Sequence, residues 1–435
     1  MTSSQNIKGF SKLNRQDKIN WLARTFQLDT EVLSNWLVQD DSMALIVDQL
    51  SENTIAHFPF PYGVAPGFKI NNKWYTLPFV TEESSVVAAL AKAAKTWSNL
   101  GGFHAETIAT DKEGQVHFFL QDDYQWLKLN FDSLKEKLLT DVQPLSESMN
   151  KRGGGIIDIR LLDKTTQLEN YFQLAVTFDT RDAMGANFIN SCLEQMASTL
   201  QAYFQTNSRS HLLEVNMAIL SNYTPNCKVR VWVECSIDKL NDLVKGMSGE
   251  TLCRKLKNAV DIAQVDVSRA VTHNKGIFNG IDALALATGN DWRAIEAGGH
   301  AYAAKDGKYR SLSKATITNN LFRLELEIPL ALGTVGGVTS IHPMTKFSMQ
   351  LMGNPAAAQL MQLMAVAGLA SNLSALIALV GTGIQKGHMK MHLNNILTEL
   401  KATDNQKQAA KVYFENKTIS VAGVKAFLQN SNAYE

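Results

Sequence analysis

The run QLMQLMAVAGLASNLSALIALV, Gln359–Val380, limits what this chain can fold into more than any other segment. A bilayer span wants about 20 consecutive, predominantly apolar residues. This run is broken by Gln359, Gln362, Ser371, Asn372 and Ser374. A helix apolar on all sides yet dotted with small polar groups belongs inside a protein, among other helices. It calls for a large helical body. With 435 residues, 45% of them apolar, the chain has material for two or three domains at roughly 100–200 residues each.

The rest of the chain divides by pattern. Residues 11–50 carry apolar groups at helical spacing (Ile19, Leu22, Phe26, Leu33, Trp36, Leu37), which predicts short amphipathic helices. In the stretch from Ser51 to Trp97 the first half, rich in Pro, Gly and aromatics, predicts extended chain and turns, and from Ser84 a small-residue helix follows. The segment ETIATDKEGQVHFFL predicts a hairpin turning across Lys112–Gly114; Ile156–Leu162 and Leu174–Asp179 predict strands, and Asn187–Gln205 a long helix. These make a compact α+β unit from about 105 to 220. Strand patterns at Val229–Val233 and Phe322–Ile328 accompany Ala-rich helices up to Leu379, and a polar helical tail closes the chain.

Charge and cysteine narrow the function. Against 42 Lys+Arg stand 41 Asp+Glu, so neither nucleic acid nor a membrane surface is bound by bulk electrostatics. Cys192, Cys227, Cys235 and Cys253 form no C-x-x-C pair, and no apolar signal core opens the N-terminal segment. Both features predict a soluble, cytoplasmic protein with reduced thiols. No P-loop, no G-x-G-x-x-G after a strand, no H-E-x-x-H or Cys/His metal cluster and no G-x-S-x-G occurs. GTGIQKG at Gly381–Gly387 has the wrong spacing for a Rossmann turn.

Seven stretches stand out in order: ENTIAHFPFPYGVA, TEESSVVAA, RGGGIIDIR, DTRDAMGANFIN, SRAVTHNKGIFNGIDALALATGNDWRAIEAGGHAYAA, IPLALGTVGGVTSIHP and GIQKGHMKMH. In this register, from about Glu52 to His392, the chain closely resembles the class II (soluble, bacterial-type) 3-hydroxy-3-methylglutaryl-coenzyme A reductases. The resemblance implies an α+β fold: a large, mainly helical substrate domain, an inserted small ferredoxin-like, non-Rossmann cofactor domain, and a helical C-terminal flap. The implied boundaries are 1–107 and 221–378 for the two parts of the large domain, 108–220 for the small one and 379–435 for the flap. It further implies a homodimer with interfacial active sites, assembling to a hexamer in one version.

The implied reaction reduces 3-hydroxy-3-methylglutaryl-CoA to mevalonate and CoA in two hydride transfers, with NADPH, or alternatively NADH, and no metal. Each hydride step builds negative charge on a carbonyl oxygen, which needs a fixed cation or proton donor beside it. Lys275 matches the family's catalytic lysine; on its own it would pass for a surface lysine in a turn before Gly276. Glu83 matches the catalytic glutamate, and Asp291 supplies a second carboxylate, so that the resemblance implies a proton-sharing network with Lys275 between them. Ser84 stands where proline is usual. The departing CoA thiolate, with a solution pKa of about 8.5, needs a proton, and His388 matches the donor, with His392 one turn later.

Binding residues follow in the same way. Arg269 matches the arginine that holds the substrate carboxylate, with bidentate geometry suited to it; Ser85, Asn279 and Asn372 match further polar contacts. Asp182, Ala183, Met184, Gly185, Ala186 and Asn187 form the family's dinucleotide loop, whose helix aims free N–H groups at a diphosphate, and Asn222 joins them. Ser146 and Ser148, followed by Lys151 and Arg152, suit a 2′-phosphate better than an acid would, which favours NADPH. Two rival readings stand: a non-catalytic acyl-CoA- or nucleotide-binding relative, and a dehydrogenase of another acyl-CoA. Occupied catalytic positions speak against the first, and Arg269 against the second.

Overall fold

The computed structural model describes residues 7–121, 124–381, 393–414, 417 and 419–431. The chain opens with α1 (Arg15–Phe26) and α2 (Asp41–Asp48), each started by a side chain that caps it: Asn14 accepts from the Asp17 N–H, and Asp40 from that of Met43. An antiparallel hairpin of β1 (Tyr62–Ile70) and β2 (Lys73–Val80) leads into α3 (Val86–Ser98) and the short β3 (His104–Thr107). There the chain leaves the first body.

The excursion runs β4 (Lys112–Leu120), α4 (Phe131–Lys151), β5 (Gly155–Asp163), β6 (Tyr171–Asp179), α5 (Ala186–Thr206) and β7 (Leu213–Leu220). Its sheet is antiparallel throughout in the order β5-β6-β4-β7, the βαββαβ arrangement of ferredoxin-like folds. Both helices lie against one face, and the core between them, with Phe118, Leu138, Phe178, Leu193 and Phe204, is separate from that of the first body.

The chain returns at β8 (Lys228–Ser236), which pairs antiparallel with β3, Thr107 opposite Val229. Departure and re-entry therefore sit side by side on one sheet, and the small body is an insertion held at its root by two neighbouring strands. After β8 come α6 (Gly249–Val265), α7 (Val267–Ala287), α8 (Trp292–Ala303), β9 (Ser313–Thr318), β10 (Leu321–Pro329), α9 (Pro343–Leu351) and α10 (Ala357–Val380). The second sheet has the order β3-β8-β10-β9. The tail carries α11 (Asp404–Tyr413), with a Thr403/Gln406 capping box, and α12 (Val421–Ser431), over a small apolar cluster of its own.

The interrupted apolar run is α10, buried along almost its whole length among α7, α3 and β8. Gly280 of α7 makes that crossing possible: a Cβ there would lie 2.3 Å from the Ala367 carbonyl oxygen. The strands expected at 156–162 and 174–179 and the helix at 187–205 are β5, β6 and α5. The hairpin expected across Lys112–Gly114 does not form. β3 and β4 belong to different sheets, and Lys112–Gly114 lies inside β4. Gly114 makes room rather than a turn, since a Cβ there would meet Leu193 of α5 at 2.5 Å.

Candidate active site

One face of α7 carries most of the chemistry. Its opposite face is spent on the core through Ala270, His273, Asn274, Ile277, Phe278 and Ile281, which leaves Lys275 and Asn279, one turn apart, on the accessible side. Asp266 starts the helix by accepting from the Arg269 N–H at 2.6 Å, and so fixes Arg269 in its first turn. Lys275 thus sits mid-helix. Gly276 has open space beside it, so the H-N-K-G sequence marks no turn.

The corner between β2 and α3 brings Glu83 to this face. Its own N–H is held by the Thr81 hydroxyl, and its Oε2 lies 2.5 Å from Lys275 Nζ. Both side chains remain well exposed, 58% for Lys275 and 39% for Glu83. Ser85, two residues on, has φ +74 and makes no cap bond to α3 with its hydroxyl. Asp291 has a structural role of its own. It starts α8 by accepting from the Ala294 N–H at 3.2 Å and lies 3.6 Å from Arg293. Among the described residues the ion pair of Lys275 is with Glu83.

A carboxyl pair lies further along the same helix. Asp282, seven residues on from Lys275 and hence two turns along α7, faces Glu296 of α8. Burial, the Glu296 carboxylate and their mutual hydrogen bond push Asp282 up to about 8, with Lys275 pulling the other way. The i+7 spacing from Lys275 in K-G-I-F-N-G-I-D was the available signal.

Arg269 is half-buried, and burial pulls its guanidinium below the ordinary range. No carboxylate lies within ion-pair distance of it among the described residues. Asn279 is half-buried beside Lys275. Asn372 is 1% exposed; it accepts from Ser313 Oγ and donates to the His273 carbonyl, so its amide is engaged inside the core. His388 and His392 lie outside the described residues.

At the small body, Gly185 (φ +88) precedes α5 with no side-chain cap, so the first N–H groups of α5 lack an internal partner. A Cβ on Gly185 would lie 2.4 Å from Thr180 Cγ2. Across the loop, a Cβ on Gly333 would lie 2.3 Å from the Met184 nitrogen, and Thr334 donates its N–H to the Asp182 carbonyl. The Asp182 carboxylate accepts from the Ala357 N–H at 2.7 Å, which caps α10. A pocket between the bodies is lined by Met184, Ala186, Ser221, Asn222, Ala294 and Gly298, with Ala183 bridged to Val335 nearby and Asn187 exposed at the helix start. Ser148, Lys151 and Arg152 are exposed at the end of α4, Lys151 paired with Glu147 at 2.7 Å. Ser146 is instead buried, donating to the Gln143 carbonyl and accepting from Asn150.

A helical body carrying a lysine–carboxylate pair, joined to a ferredoxin-like body with an uncapped helix start, defines a two-body enzyme. The hydroxymethylglutaryl-coenzyme A reductase family matches residues 14–393, and the chain belongs to that family. The 3-hydroxy-3-methylglutaryl-coenzyme A reductase of Archaeoglobus fulgidus is 34% identical over 409 residues, covering 93% of this chain and 89% of that protein. The solved reductase of Streptococcus pneumoniae superposes with a TM-score of 0.74 at 35% identity, covering 97% of this chain and 99% of the other. A class II structure from that organism bound to NADPH in open conformations aligns at 0.73 and 36%, covering 86% and 99%.

Proposed function

We propose that this chain reduces 3-hydroxy-3-methylglutaryl-CoA to mevalonate and CoA at the junction of its two bodies, with NADPH as reductant. The observation that carries the reading is the 2.5 Å Lys275–Glu83 pair, which links two distant segments on an accessible face. NADPH, when bound, supplies the hydride of each reduction. The close approaches at Gly185 and Gly333 and the uncapped start of α5 fit a diphosphate lying against backbone. Lys151, Arg152 and Ser148 are assigned to the 2′-phosphate.

On the large body, the Lys275 ammonium holds the charge that develops on the carbonyl oxygen. Glu83, in contact with it, holds and returns the proton. Arg269 takes the terminal carboxylate of the acyl group in a fork, and Ser85 and Asn279 complete its polar contacts. Asp291 acts on the site from the start of α8. Protonation of the CoA thiolate is assigned to His388. The exposure of the pair and the bare apolar side chains of Val265, Val267 and Val271 around Arg269 support a homodimer whose second copy covers the site. Four buried thiols, pushed up to about 11–12 by burial, accord with the cytoplasm.

The test is NADPH oxidation upon adding 3-hydroxy-3-methylglutaryl-CoA, with mevalonate identified as product. Lys275→Ala should lose roughly 10²–10³-fold or more in turnover, while the CoA ester still binds in calorimetry. Substantial residual turnover would remove Lys275 from its role.

A further inference from the structure

Lys112 is a charged side chain at 4% exposure, inside β4 of the small body. A buried ammonium is expensive unless its protons are used. Nζ donates to Thr180 Oγ1 at 2.6 Å and to the Ala183 carbonyl at 3.0 Å. The Thr180 hydroxyl donates to that same carbonyl at 2.6 Å. Ammonium, hydroxyl and carbonyl thereby close a triangle that clamps residues 180–183, the segment delivering Gly185 and the start of α5. Two of the ammonium's three protons are spent, and Lys112 also lines the pocket between the bodies.

The electrostatics are unusual for a structural lysine. The ammonium is bonded to Ala183, two residues before the N-cap of α5, whose backbone already presents positive charge. The carboxylates that act on it, Asp179 and Asp182, do so at longer range, and burial pulls Lys112 below the ordinary lysine range. Asp182 is also committed to α10. Two positive features set together at a pocket wall are balanced when an anion occupies the space before them.

We propose that Lys112 is a positioning residue for the dinucleotide: it clamps the 180–183 segment against β4 and adds its charge to the start of α5, where the diphosphate is held. The proposal rests on the assignment of this loop to NADPH. It differs from that assignment in placing the control of affinity on a strand nearly 70 residues upstream of the loop.

The experiment uses the full chain and measures the dissociation constants of NADPH and of 3-hydroxy-3-methylglutaryl-CoA by calorimetry. Lys112→Met should weaken NADPH by roughly tenfold or more, the scale of bonds to a charged group, and leave the CoA ester within about twofold. In steady state the loss should fall on the KM for NADPH rather than on kcat. Should Lys112→Met fail to fold, Thr180→Val removes the clamp's hydroxyl at nearly constant volume and should also weaken NADPH. Thr180→Ser, which restores the hydroxyl, should bind like the parent. Equal weakening of both ligands, or equal behaviour of the Val and Ser variants, would overturn the proposal. Gly185→Ala serves as the control for the loop itself, because its Cβ would collide with Thr180. Loss of NADPH binding in Gly185→Ala but not in the Lys112 and Thr180→Val variants would overturn the clamp alone. Unchanged NADPH affinity in Gly185→Ala would overturn the loop assignment, and the proposal with it.

Discussion

Asp282 shows how one residue couples the site to the stability of the fold. Its carboxyl is held at about 8 against an ordinary 3.8, first by burial and then by Glu296. Between those values the folded chain keeps a proton that the unfolded chain releases, so stability falls as pH rises from about 4 to about 8. Asp282→Asn keeps the shape and removes the titration. Melting temperatures taken at pH 5 and pH 8 should therefore drop for the parent and stay more nearly level for the variant. An equal drop in both would mean that Asp282 titrates normally. The sequence offers only the spacing of Asp282 from Lys275, because a lone Asp in an apolar helix gains its partner only when α8 folds back onto α7.

Among the elements, α7 and α10 cross with their backbones in close approach. The Cβ of Gly280→Ala would lie 2.3 Å from the Ala367 carbonyl oxygen, and a backbone carbonyl in a buried helix cannot swing aside. The variant should cost about 1–3 kcal/mol or more, the scale of overpacking, and denaturant melts should show it as a lower midpoint. A midpoint equal to the parent's would show that the helices separate freely. The same elements explain what could be read in advance. α10 was legible because unbroken apolarity admits few environments, and β5, β6 and α5 because their periods are clean. The false hairpin arose because Lys-Glu-Gly has turn chemistry, whereas Gly114 exists for the packing of α5 and Lys112 for a buried bond. Position 144 is a proline inside α4, which hides a 21-residue helix from a reading by propensity. In the site, resemblance named Lys275 and Glu83, but only the fold puts them 2.5 Å apart.

The described residues of the whole molecule form three separate apolar clusters: one in the large body, one in the insertion, and one that includes Leu393, Ile396, Leu397, Ala410, Phe414, Val424 and Leu428 in the tail. Because the tail satisfies its own apolar surface, stability and chemistry should separate along the chain. A chain ending at Gly381 should melt within about 2 °C of the parent, given that 1 kcal/mol moves a body of this size by roughly 2–4 °C. It should nevertheless fail to reduce 3-hydroxy-3-methylglutaryl-CoA, since it lacks His388. His388→Gln keeps the tail and a polar side chain but removes the titratable proton, and so isolates the chemical part of that loss. If His388 protonates the thiolate, the Gln variant should lose most reduction of the thioester while reducing supplied mevaldehyde at a rate near the parent's, because the aldehyde releases no thiolate. His392→Gln should be far milder. Equal losses on thioester and aldehyde would take His388 out of the chemistry, and a large fall in melting temperature on truncation would make residues 393–431 part of the structural core.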